Sequence, residues 1–249
     1  MPAAPLLLAA LLAQDPAPDG APAVDFYPWR ADIAGFAADI DALAEQDREL
    51  YAAGGPEEGA VLLAGSSSVR LWAESGNVAA AMAPVPVVAR GYGGARYSDL
   101  AWYADRLFAP HLTPGEPGAN VAAVALFVGN DLGTGRRQTP AGAAAFVAHT
   151  LATLRNQDAD VPVLLIAVTP TPARFEDWNE TRAFNRELEQ FAGANAGVFY
   201  LDTADAYLAD DGTPDADLFG EDRLHQNAAG YAVWAGLIKE ALTDMNLDR

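Results

Sequence analysis

The stretch 121–128, Val-Ala-Ala-Val-Ala-Leu-Phe-Val, restricts the fold of this chain more than any other. Eight apolar residues in a row are the length of a strand and far too few to cross a bilayer. Without polar alternation such a strand must be covered on both faces, the situation of a central strand in a parallel sheet. Four further runs have the same character: Val61-Leu62-Leu63-Ala64, 85–89, 161–168 and 198–201. Amphipathic segments separate them. From 31 to 53, Ile33, Phe36, Ile40, Leu43, Leu50 and Tyr51 recur at helical spacing, and Gly54-Gly55-Pro56 stops the helix. Ser98 reads as the cap of a helix through Leu107, and further helices are expected over 140–156, 178–192 and 227–245. Strands alternating with helices of this length predict an α/β chain, a three-layer α/β/α sandwich around a mainly parallel five-stranded sheet with right-handed crossovers.

The 249 residues, 51% hydrophobic, suffice for one such domain, expected over 30–249. Residues 14–29, rich in Pro, Ala and Asp, read as a tether. Leu6–Ala13 is an apolar run resembling the core of a secretory signal, so residues 1–13 are expected to direct export to a periplasmic or secreted location; without that role the protein is cytoplasmic. The alternative is an apolar tail packed on the domain.

Charge and cysteine content remove whole classes. With 34 Asp and Glu against 15 Lys and Arg, a net charge of −19 disfavours nucleic acid and anionic membrane as partners, and no stable membrane association is expected. The absence of Cys excludes disulfides, thiolate metal sites and a Cys nucleophile. No His, Asp and Glu fall at ligand spacing, so neither metal nor other cofactor is expected.

Chemistry-bearing residues recur where strands end. Gly65-Ser66-Ser67-Ser68 follows the first strand, Gly91-Tyr92-Gly93-Gly94 the second and Gly129-Asn130-Asp131 the third. In a parallel sheet all these ends lie along one edge, where ligands bind. A Ser hydroxyl needs a base to act as a nucleophile. Of the three histidines, His149 falls inside a helix and His111 in a Pro-flanked loop without an acidic neighbour, whereas His225 has Asp222 three residues before it. A carboxylate so placed can fix the imidazole tautomer. Gly94 and Asn130 offer oxyanion donors beside the Ser67 N–H. Taken singly, each has a plainer reading: a turn or helix cap at Gly65–Ser68, an Asx-turn at Asn130, a positive φ at Gly94, a cap at Asp222. A flavodoxin-like phosphate binder is also conceivable, but the Gly65 loop lacks a P-loop Lys and the second glycine cluster misses the dinucleotide spacing.

In their order, Gly-Ser-Ser-Ser, Gly-Tyr-Gly-Gly, Gly-Asn-Asp and Asp222-Arg223-Leu224-His225 resemble the four blocks of the SGNH (GDSL-type) hydrolases, in particular a bacterial branch whose first block reads Gly-Ser-Ser-Ser-Ile-Arg. The resemblance runs from about residue 60 to 245 and includes Thr169-Pro170-Thr171-Pro172-Ala173-Arg174, Leu218-Phe219, Gly230-Tyr231 and Trp234. It implies a flavodoxin-like sheet and a serine esterase. Ser67 would be the nucleophile, His225 the base and Asp222 its orienting carboxylate, with Ser67, Gly94 and Asn130 forming the oxyanion hole. Ser66 stands where many relatives carry Asp; Ser66, Asp131 and Arg96 are the candidates for substrate contact. The third block is one residue short of Gly-x-Asn-Asp, so either Val128 takes the place of its usual Gly or the turn is one residue tighter, and Ala89 stands where close relatives have Asn. The implied substrate is a small carboxylic ester, short-chain or acetyl, with acetylated carbohydrates among the options. A lysophospholipase or thioesterase, or a non-catalytic carbohydrate- or ligand-binding module on the same fold, are the alternatives. Trp102 and Trp178 are candidate sugar-stacking faces, and Arg136 and Arg137 candidates to face the site.

Overall fold

A computed structural model describes residues 23–113, 121–133 and 138–245. Residues 1–13, the first part of the tether, Arg136 and Arg137 lie outside the described residues. In chain order the elements are α1 (Arg30–Gly35), α2 (Ala37–Ala52), β1 (Val61–Gly65), α3 (Ser67–Glu74), α4 (Val78–Met82), β2 (Val87–Gly91), α5 (Tyr97–Trp102), α6 (Ala104–Leu112), β3 (Ala123–Phe127), α7 (Pro140–Gln157), β4 (Val163–Ile166), α8 (Trp178–Ala194), β5 (Val198–Leu201) and α9 (Ala228–Asp244). Short 3₁₀ turns lie at Tyr27–Trp29, Pro172–Asp177, Asp205–Tyr207 and Ala216–Leu218.

The five strands form one sheet in the order β2-β1-β3-β4-β5, every pairing parallel. Its two faces follow from the alternation of side chains along each strand. Leu62, Ala64, Val88, Val124, Leu126, Val163 and Leu165 join a core closed by α1, α2, α5, α6, α7 and α8. Val61, Leu63, Ala123, Ala125, Phe127, Leu164 and Ile166 point the other way, onto Val69 and Trp72 of α3, Met82 of α4, and Trp234, Ile238 and Leu242 of α9. The expected three-layer α/β/α sandwich is therefore present. Strand order reverses between β1 and β3, and the edge beyond their carboxyl ends is the switch point at which such sheets bind ligands.

Several local expectations need correction. Gly65 does not break its strand. It is the last paired residue of β1, where a Cβ would lie 1.9 Å from the Phe127 carbonyl oxygen. Gly91 has a similar duty, since a Cβ there would sit 2.5 Å from the Arg70 backbone nitrogen, so its bareness lets the start of α3 rest on β2. The helix expected over 31–53 is interrupted at Phe36, which ends α1 and precedes α2. Helix α5 is capped not by Ser98 but by Asp99, whose carboxylate accepts the Arg96 N–H at 3.0 and 3.1 Å, and a break at Tyr103 separates α5 from α6. The buried interior also begins upstream of residue 30: Phe26 packs edge-on to Trp102 at 5.1 Å and touches Phe146, and Trp29 is buried as well. Aromatic anchors in a Pro-rich stretch read as tether because the stretch lacks periodicity.

His111 is the largest departure. It lies in α6, fully buried, with Nε2 3.2 Å from Asp47 Oδ1, and its Nδ1 meets the Tyr51 hydroxyl. Asp47 also accepts from Arg90 Nε at 2.6 Å. Burial pushes the Asp47 carboxyl up, but His111 and Arg90 outweigh it and hold the group below the usual carboxylate range. The acidic companion of His111 comes from α2, far away in sequence.

Candidate active site

The first signal, Gly65–Ser68, sits where β1 turns directly into α3. Ser66 occupies the cap position in extended backbone (φ −90°, ψ −162°), and its carbonyl accepts the N–H groups of Val69 and Arg70 at 3.0 and 3.2 Å. Ser67 is thus the first helical residue, and its own N–H has no place in the helix ladder. Its half-buried side chain faces the cleft at the switch point.

The last signal arrives from the loop before α9. Asp222 Oδ1 accepts the backbone N–H groups of Leu224 and His225, each at 3.0 Å, a local turn that explains the spacing of three. Between them Arg223 adopts φ 57°, and the Phe219–Gln226 bridge with a 2.8 Å bond from Gly220 N–H to the His225 carbonyl closes the loop. His225 then bonds on both sides: Nδ1 lies 2.5 Å from Asp222 Oδ2 and Nε2 2.8 Å from Ser67 Oγ. With Nδ1–H donated to the carboxylate, Nε2 is left to accept the Ser67 proton. Partial burial pushes the Asp222 carboxyl up, yet the bonds from the His225 ring and the two backbone amides prevail and bring it to about 2. Helix α9 is anchored to the same region, because the Tyr231 hydroxyl donates to the Ser68 carbonyl at 2.9 Å.

The loop after β3 supplies Asn130. Despite the shortened block, the side chain reaches the cleft, where Nδ2 donates to the Ala95 carbonyl at 3.0 Å and Oδ1 accepts from Arg174 at 3.1 Å. Ser66 also lines the cleft.

Other candidates are not brought there. Asp131 turns away and accepts the Tyr97 N–H at 3.0 and 3.2 Å, a buried contact that anchors the start of α5. Arg96 pairs with Asp32 of α1 at 2.6 Å. Both are therefore structural ties and not lining residues. Gly94 takes the left-handed conformation (φ +77°) after β2 and faces Phe36; it is not among the residues that line the cleft. Trp102 belongs to the core against Phe26. Trp178 does line the cleft but is only 9% exposed, which leaves little of either ring face for a sugar to stack on. His149 packs edge-on against Phe26 at 5.4 Å.

The residues not foreseen as site residues come from the segment after β4 and from the first turn of α8. Thr169, Thr171, Arg174, Asp177 and Thr181 complete the cleft wall. In the sequence, Thr169–Arg174 stands out only as part of a resemblance, with no chemical role attached. The cleft opens to solvent. Among the described residues, no group of three or more His, Asp or Glu gathers at a point where a metal could sit, and no helix is long and apolar enough to cross a membrane.

A family model described as the GDSL-like Lipase/Acylhydrolase family matches residues 51–233, nearly three quarters of the chain. The chain belongs to that family. The matched span of this GDSL-like protein contains Ser67, Asn130, Asp222 and His225 and leaves out α1 and nearly all of α2. A search of curated proteins finds no match. Solved structures share the fold at low identity. A Streptococcus pneumonia protein provisionally described as a platelet activating factor is 18% identical with a TM-score of 0.68, over 82% of this chain and 93% of its own. A GDSL-like lipase from Bacteroides thetaiotaomicron is 16% identical with a TM-score of 0.61, over 88% and 99%. A carbohydrate esterase family 3 protein from Talaromyces cellulolyticus is 18% identical with a TM-score of 0.54, over 76% and 99%.

Proposed function

We propose that this protein is a serine esterase that hydrolyses small carboxylic esters through an acyl-serine intermediate. One observation carries the reading: the unbroken chain from Asp222 Oδ2 through the His225 ring to Ser67 Oγ, with links of 2.5 and 2.8 Å. His225 takes the Ser67 proton as Oγ attacks the ester carbonyl. Asp222, ionised far below neutral pH, stabilises the imidazolium. The developing oxyanion is met by the Ser67 N–H and by the Asn130 amide, which has a second N–H beyond the one given to Ala95. His225 next protonates the leaving alcohol. Water then attacks the acyl-serine with His225 again accepting a proton, and the acid is released.

The cleft favours short acyl groups. Its wall carries Ser66, Asn130, Thr169, Thr171, Arg174 and Asp177, a polar lining that suits an acetyl or propionyl group better than a fatty chain. An esterase among the structural neighbours fits this reading without fixing the alcohol.

The test is hydrolysis of p-nitrophenyl esters of two, four, eight and twelve carbons by the purified protein, with Ser67→Ala and His225→Ala in parallel. Turnover falling with chain length and lost in both variants is expected. Equal rates in Ser67→Ala, or preference for the twelve-carbon ester, would overturn the mechanism or the chain-length argument respectively.

A further inference from the structure

The wall formed by the turn after β4 touches both halves of the site. Ala173 donates its N–H to the carbonyl of Arg223 at 2.9 Å, inside the loop that carries Asp222 and His225. The next residue reaches the opposite side: Arg174 donates through Nη1 to the Gly129 carbonyl at 2.8 Å and through Nη2 to Asn130 Oδ1 at 3.1 Å. The helical path of the turn Pro172–Asp177 breaks at Arg174 (φ −130°, ψ 22°). The same turn presses on the β3 loop a second time, since a Cβ on Gly133 would lie 2.6 Å from Asp177 Oδ2.

We infer that Arg174 is a positioning residue that locks the side-chain amide of Asn130 with its N–H₂ end toward the oxyanion. The inference rests on the serine-esterase reading for its catalytic consequence, though not for the geometry. An Asn amide has an acceptor end and a donor end of nearly the same shape, so only its partners decide which way it points. Here two partners agree. A flipped amide would set N–H₂ against the Arg174 guanidinium, donor against donor, and Oδ1 against the Ala95 carbonyl, acceptor against acceptor. The same guanidinium holds the Gly129 carbonyl, so it fixes the backbone beside Asn130 as well as its amide. Lys can replace it only in part, because an ammonium lacks the planar fork that meets two oxygens bidentately.

The experiment combines kinetics with a readout independent of turnover. Arg174→Ala is expected to lower kcat by about tenfold to a hundredfold, the scale of a misplaced catalytic group, with KM changed less than about twofold. Arg174→Lys should fall between, and added guanidinium ion should restore part of the Arg174→Ala rate. In an Asn130→Ala background Arg174→Ala should cost nothing more and guanidinium should rescue nothing. Independently, the Asn130 side-chain amide protons, assigned by their loss in Asn130→Ala, should shift and exchange faster with water in Arg174→Ala while the backbone spectrum stays folded. Losses that multiply in the double variant, or Asn130 amide signals unchanged by Arg174→Ala, would overturn the inference. Were the wild type to hydrolyse no ester, the esterase reading would fall while the amide signals still decided the role of Arg174.

Discussion

Asn130 and Asp222 show how single groups acquire their duties from neighbours rather than from their own chemistry. On the proposed mechanism Asn130→Ala removes an oxyanion donor, and it is expected to lower kcat on the order of 10²–10³ with little change in KM, measured by steady-state hydrolysis of a short ester. The Asp222 carboxyl is depressed to about 2 against an unfolded value of about 3.9. A depressed group contributes while ionised, so its help is complete above about pH 4 and is lost as pH falls toward 2. Above about pH 4, Asp222 therefore adds no proton to the acid limb of kcat/KM. A two-proton slope in that window would assign Asp222 a titration its environment does not allow. The pairing of Asp222 with His225 was legible in the sequence because the turn that joins them is local. The pairing of Asp47 with His111 was not, because it depends on α2 lying against α6.

The elements around the site depend on close backbone approach. Gly65→Ala would drive a Cβ to 1.9 Å from the Phe127 carbonyl, where no flexible side chain can yield, and is expected to destabilise by about 3 kcal/mol or more in urea unfolding. Gly236, within α9, makes the contrast: a Cβ there would meet nothing within 4 Å, so Gly236→Ala should stabilise by about 0.5–1 kcal/mol. Sequence places one at a strand end and the other in a helix, but only the strand register shows how closely Phe127 approaches Gly65. Helix α5 carries a different penalty. Burial raises the Asp99 carboxyl to about 6, against the pull of the Arg96 backbone bond. A raised group binds its proton more tightly in the folded state, so this contribution is greatest below about pH 3.9 and is lost as pH rises through 6. Asp99→Asn should thus gain on the wild type between pH 4 and 7, by up to about 3 kcal/mol, in unfolding titrations at several pH values.

Across the whole molecule, five apolar runs were enough to foresee a parallel five-stranded sheet with helices on both faces, because burial on both sides leaves a periodic signature. Element ends and the first aromatic residues were less visible: Phe26 and Trp29 are single anchors with no periodicity to announce them. The four strand-end signals converged because all strands are parallel: Ser66, Ser67, Ser68, Gly129, Asn130 and His225 line the cleft, whereas Gly94 and Asp131 do not. Asp131 and Arg96 are drawn instead into ties that hold the scaffold. The net charge of −19 acts at this scale too. Self-repulsion weakens the compact state, so raising salt from about 10 mM to about 500 mM should raise Tm by screening it; a Tm that falls would show that ion pairs such as Arg106–Asp41 dominate instead.

The most direct measurement of the central claim is the site of covalent capture by a fluorophosphonate, followed by intact mass and peptide mapping. A single adduct on the peptide bearing Ser67, absent from Ser67→Ala and formed far more slowly in His225→Ala, is the result this account requires. Folded protein that takes no adduct, or takes it on another serine, would contradict it.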